Sequence, residues 1–130
     1  MDFLLDSANL DDIKKYSEII PLAGVTSNPS IIKKEGKIDF FAHMKKVRSI
    51  IGPERSLHIQ VVGQNFEAMM RDAEAILDHI DQSVYIKVPV KSEGLKTIQV
   101  LKRHGIHTTA TAIYTEFQAY LAVAAGADYI

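Results

Sequence analysis

Short β-like runs alternate with amphipathic stretches along this chain, and few folds accommodate that order. The strand-like runs are Phe3–Asp6, Ala23–Thr26, Ser56–Val62, Val84–Val90, His107–Ala112 and, last, Asp128–Ile130. Clear punctuation separates the helical segments between them. Asp39 is placed to cap a helix carrying Phe41, Met44, Val47 and Ile51 at helical spacing, and Gly52-Pro53 ends it. Phe66, Met69, Met70, Ala73, Ile76, Leu77 and Ile80 form the apolar stripe of the next. Ser92 precedes a helix with Leu95, Ile98 and Leu101, closed by His104-Gly105, and Thr115 precedes one ending near Gly126. Stripes of this kind are core contacts. The alternation predicts a parallel sheet with helical crossovers.

Two architectures satisfy that prediction, a doubly wound open sheet and a (β/α)8 barrel. Strand polarity separates them. Central strands of an open parallel sheet are apolar on both faces. Here Leu57, Ile59 and Val61 oppose His58, Gln60 and Val62, while Phe3 and Leu5 oppose Asp2, Leu4 and Asp6. Thr109 and Thr111 fall together on the fifth strand. Polar groups on one face of successive parallel strands converge when that face lines an enclosed site, as in a barrel. A full barrel has eight units in about 250 residues. This 130-residue chain supplies five units and three residues of a sixth strand. The expected fold is therefore α/β: one domain over residues 1–130, the N-terminal part of a truncated (β/α)8 TIM barrel. An unclosed barrel exposes sheet edges, which favours assembly into homo-oligomers.

The most informative residue is Lys87, centred in Tyr85-Ile-Lys-Val-Pro-Val90. Alternation puts Val84, Ile86 and Val88 on one face and Tyr85, Lys87 and Pro89 on the other. A lysine there either snorkels to water or accepts desolvation. Desolvation disfavours the ammonium and frees the amine as a nucleophile toward carbonyls. On an isolated strand the wet-face lysine is the commoner case. Four further polar side chains shift the balance: Asp6, Asn28, Gln60 and Thr111 also fall at or near the C-terminal ends of successive strands. Each has an ordinary structural role open to it. Asp6-Ser-Ala-Asn9 can cap the following helix, and Asn28-Pro29 is a common helix entry. Gln60 can be an edge-strand polar residue, and Thr111 is a good strand former. Together they suit Schiff-base chemistry. Lysine forms an iminium with a ketone, Asp6, Gln60 and Thr111 hold a proton-shuttling water, and the amides bind a polyhydroxylated substrate.

Phe3-Leu-Leu-Asp6, Ala23-Gly-Val-Thr-Ser-Asn-Pro-Ser-Ile-Ile32, Tyr85-Ile-Lys-Val-Pro-Val90 and Ala110-Thr-Ala-Ile-Tyr114 carry a resemblance. The chain resembles the transaldolase family over its whole length, and within it the small-subunit branch that includes fructose-6-phosphate aldolase. The resemblance implies a (β/α)8 barrel, Lys87 as Schiff-base residue, and no metal or organic cofactor. It implies further that Asp6 is the acidic residue of strand one and that Asn28, with Ser27 beside it, binds substrate hydroxyls. Thr111 becomes the threonine of the catalytic-water site. Transaldolases proper commonly carry glutamate where this chain has Gln60, so the resemblance tilts toward reversible aldol cleavage of fructose 6-phosphate. Transfer of a dihydroxyacetone unit between sugar phosphates is the alternative, and an inactive fragment is a third.

Composition fits a globular chain with a substantial core, at 47% hydrophobic residues and a formal charge of −1. That balance gives no reason to expect nucleic acid or an acidic membrane as partner. There is no cysteine, which excludes disulfides and thiolate metal sites. The N-terminal residues lack the pattern of a signal peptide, so a cytoplasmic protein is expected. His43, His79 and His104 are expected on helices, mostly in last turns where the dipole favours them. His58 is expected to face the interior beside Gln60. Gly24 and Gly36 read as turn glycines, and no histidine pair has a metal-ligand spacing with a supporting acidic partner.

Overall fold

Four of the five strands bury apolar alternate residues under helices and turn polar ones to a shared face, whereas the first leaves Phe3 exposed. In a computed structural model describing residues 1–130, the order is β1 (Phe3–Asp6), α1 (Leu10–Ile19), β2 (Leu22–Thr26), α2 (Pro29–Lys34), α3 (Phe40–Ile51), β3 (Ser56–Gln60), α4 (Phe66–His79), β4 (Tyr85–Pro89), α5 (Ser92–Arg103), β5 (Thr108–Thr111) and α6 (Glu116–Ala125). The five strands are parallel and lie in sequence order, β1-β2-β3-β4-β5. A doubly wound sheet reverses its strand order at a switch point. This one never reverses, which is the winding of a barrel.

The sheet curls. His58 on β3 and Thr109 on β5 are two strands apart, about 9.5 Å in a flat sheet. Their side chains meet across β4 at 2.6 Å. Beyond α6, Tyr129 makes a single parallel bridge to Thr109, and its hydroxyl donates to Asp2 Oδ2 at 3.2 Å. The molecule is an α/β half-barrel, concave toward its polar residues. Only that one bridge represents the expected strand Asp128–Ile130.

The convex face holds the core. Val25, Leu57, Ile59, Ile86, Val88 and Ala110 are buried there against Ile13, Met44, Val47, Met69, Ile76, Ile98 and Leu101 of the helices. Truncating one of these leucine, isoleucine or methionine side chains to alanine typically costs about 2–5 kcal/mol. The helices start where the sequence offers caps. Asn9, Asn28, Asp39, Asn65 and Thr115 each accept a backbone N–H with the side chain, and Thr115 with Gln118 completes a capping box. Ser92 does not cap α5. It is the first helical residue, and Lys91 caps with backbone alone.

Two glycines set the spacing of elements. Gly24 is a strand residue, contrary to the turn expected for it. A Cβ there would run into the Ser56 side chain and carbonyl on β3. At Gly94 a Cβ would strike the Pro89 carbonyl, so glycine lets α5 sit directly over the end of β4. His43 also departs from expectation. It lies in the first half of α3, buried, with Nε2 2.6 Å from the Ala8 carbonyl, and so ties α3 to the β1–α1 connection.

Candidate functional site on the concave face

Register decides which polar side chains become neighbours. One row across the concave face runs Asp6, Thr26, His58 and Tyr85, and the next Gln60, Lys87 and Thr109. Thr111 pairs with Pro89 in the row above. Asp6, Gln60 and Thr111 are the last residues of their strands, and Lys87 is the middle one of β4. In a parallel (β/α) barrel this C-terminal end is where chemistry is built.

Lys87 is half-buried, and its Nζ donates to the Ser27 carbonyl at 3.2 Å. Ser27 follows β2 directly, is 1% exposed as a residue, and meets Lys87 through its backbone carbonyl. The Thr26 hydroxyl donates to Asp6 Oδ1 at 2.7 Å, which orients that carboxylate on the rim. Asn28 does what its helix entry demands: its Oδ1 accepts from Ile31 N at 2.9 Å, capping α2. The Asn28 NH₂ group stays available. Asp6, Gln60, Lys87 and Thr111 thus share one face without direct hydrogen bonds among them. Immediately after Thr111, Ala112 has φ +57°, a left-handed conformation that costs a non-glycine residue about 1–2 kcal/mol. That turn ends β5 and directs the chain away from the site.

Beneath Lys87 lies a layer of rings. His58 is fully buried, stacked on Tyr85 at 4.6 Å, and Tyr85 stacks on His107 at 4.6 Å. Tyr129 meets His58 and Tyr85 edge-on. Burial, and then the charge of Lys87, push His58 from its ordinary 6.5 down to about 4. The imidazole is therefore neutral at physiological pH. Burial raises the Tyr85 phenol, helped by the Asp128 charge.

A cavity of about 380 Å³ opens on the other side of the strand ends, between α2, α3 and α4. Ser27, Asn28 and Gln60 border it, facing Ile32, Phe40, Phe41 and Ile76. Lys87, Asp6 and Thr111 do not line it. No group of three or more His, Cys, Asp or Glu converges as metal ligands would.

The match to known proteins is extensive. The family described as Transaldolase/Fructose-6-phosphate aldolase matches residues 3–130. This chain belongs to the transaldolase/fructose-6-phosphate aldolase family. Among curated relatives, a probable fructose-6-phosphate aldolase of Streptococcus pneumoniae is 55% identical over 130 residues, covering 100% of this chain and 59% of that protein. A probable transaldolase of Thermoanaerobacter is 41% identical over 131 residues, covering 100% of this chain and 58% of its own. One of Methanococcus maripaludis is 40% identical over 130 residues, covering 100% and 59%. The chain thus spans 59% or less of the length of these three family members.

Alternation along the sequence puts Asp6, Gln60, Lys87 and Thr111 on one face, and the fold adds Thr26, Ser56 and Tyr129 as their neighbours. Thr26 was findable, since it opposes Val25 by the alternation used elsewhere. Tyr129 was not, because its contact with Asp2 spans 127 positions.

Proposed function

We propose that this chain carries the nucleophile-bearing half of a class I aldolase, with Lys87 forming the Schiff base. The Lys87 amine adds to the ketone of dihydroxyacetone, and the carbinolamine loses water to an iminium. Removal of a proton from the adjacent carbon gives an enamine, which attacks the aldehyde of glyceraldehyde 3-phosphate. Hydrolysis of the new iminium releases fructose 6-phosphate and restores the amine, and the reverse sequence cleaves it. Asp6, oriented by Thr26, holds and moves the proton with a water positioned by Gln60 and Thr111. The Asn28 NH₂ group donates to a substrate hydroxyl, and Ser27 steadies the amine through its carbonyl.

The observation that carries this reading is the position of Lys87 in the middle of β4, facing a concave polar surface with its Nζ held 3.2 Å from a backbone carbonyl. The reading brings with it a cytoplasmic enzyme of sugar-phosphate metabolism, working as a homo-oligomer in which residues 1–130 form one part of a larger barrel. It calls on no metal or organic cofactor. Transaldol transfer, the pentose phosphate reaction, is the second reading, supported by relatives named probable transaldolase. Gln60 and the 55% identity to a probable fructose-6-phosphate aldolase favour the first.

Incubation with fructose 6-phosphate, alone and with an added aldose phosphate, separates the two. Release of glyceraldehyde 3-phosphate without an acceptor supports the aldolase. Release only with the acceptor supports transfer, and none under either condition leaves residues 1–130 without the complete activity.

A further inference from the structure

His58 is a buried polar group that the Lys87 chemistry does not use, and both of its ring nitrogens are engaged. Nδ1 lies 2.6 Å from Thr109 Oγ1 and Nε2 lies 2.8 Å from Ser56 Oγ. The Ser56 hydroxyl in turn donates to the Ala23 carbonyl at 3.4 Å. A carbonyl can only accept, so with the Ser56 proton directed to Ala23 the bonds above it take one order. Ser56, having donated its proton, accepts from Nε2–H. Nδ1 is then bare and accepts from the Thr109 hydroxyl. Burial and the Lys87 charge oppose the second ring proton that would undo this order. The stack on Tyr85 and the edge of Tyr129 hold the ring plane.

The consequence falls on Thr109. It is the register partner of Lys87, in the row that also holds Gln60, and it is 8% exposed. With its proton committed to His58, its oxygen has only lone pairs to offer. Lys87 Nζ donates to Ser27 on the opposite flank. An accepting oxygen in register with that amine suits a hydroxyl on the molecule the amine binds.

We propose that Thr109, held as a hydrogen-bond acceptor by His58, is a specificity residue of the Lys87 site that takes a hydroxyl of a hydroxyketone, with His58 as its positioning residue. This rests on the reading of Lys87 as the Schiff-base lysine and adds the feature that selects a hydroxylated ketone over a plain one. Borohydride trapping with two ketones tests it on the same chain, since dihydroxyacetone carries hydroxyls and acetone carries none. Loss of one such bond weakens binding roughly fivefold. Thr109→Val is therefore expected to raise the half-saturating dihydroxyacetone concentration by roughly that factor. The maximal adduct and the acetone curve should stay unchanged, and Thr109→Ser should behave as wild type. Equal shifts for both ketones, or none, overturn the proposal.

A second readout does not depend on turnover. Histidine ¹⁵N spectra are expected to show His58 protonated at Nε2 and bare at Nδ1 near neutral pH. The opposite tautomer overturns the proposal and leaves the Lys87 reading standing. Absence of any adduct in the wild-type chain overturns the Lys87 reading, and the hydroxyl contact with it, whatever the tautomer.

Discussion

His58 couples the site to stability through its protonation. An unfolded histidine takes a proton near 6.5, whereas in the fold burial and Lys87 delay this to about 4. Between those values the unfolded chain binds more protons, so stability falls as pH falls from 6.5 to 4 and no further below. The full loss is on the order of 3 kcal/mol. Urea midpoints measured across this window should decline in wild type and flatten in His58→Phe. Asp81 acts in a separate range. Burial raises its carboxyl, but hydrogen bonds from Ser83 and the charge of Arg48 outweigh that and hold it below 3.8. Its stabilisation is present above that value and lost only in stronger acid. At this scale period-two alternation revealed Asp6, Gln60, Lys87 and Thr111. It could not reveal the bond from His58 to Thr109, which joins residues 51 positions apart and depends on the register of three strands.

Elements begin where local chemistry dictates and end where distant groups intervene. The caps Asn28, Asp39 and Thr115 were legible because a capping side chain acts within three residues. The end of β3 was not. Alternation continues to Val62, yet Asp72 Oδ2 on α4 accepts from Val62 N at 2.9 Å and Gly63 N at 2.7 Å and draws the chain out of the sheet. Replacing Asp72 by alanine leaves two N–H groups without their acceptor and should cost about 1–3 kcal/mol in urea unfolding. Gly94→Ala is expected to be costly for a different reason. Its Cβ meets the Pro89 backbone, which cannot swing aside as a flexible side chain would. A loss of about 1–3 kcal/mol is expected, with Lys87 displaced alongside Pro89 and its reactivity toward ketones reduced. A Gly94 variant as stable as wild type would contradict the close approach of α5 to β4.

At the scale of the whole molecule, alternating polarity and strand–helix order were enough to choose a barrel over an open sheet. The sequential strand order β1-β2-β3-β4-β5 agrees with that choice. Less legible was the interior. Serine, histidine, tyrosine, lysine and threonine side chains fill it as an ordered polar layer, because most polar alternates of the strands point inward and the curl brings them within bonding distance. The outer surface of α6 has the opposite character, with Phe117, Tyr120 and Val123 exposed. The central claim is that the concave face turns Lys87 into a carbonyl nucleophile. Borohydride reduction with dihydroxyacetone, followed by peptide mass mapping, tests it most directly. A reduced three-carbon adduct on Lys87, absent from Lys87→Met, is the expected result. A folded chain that gives no adduct, or gives one spread over its surface lysines, would contradict it.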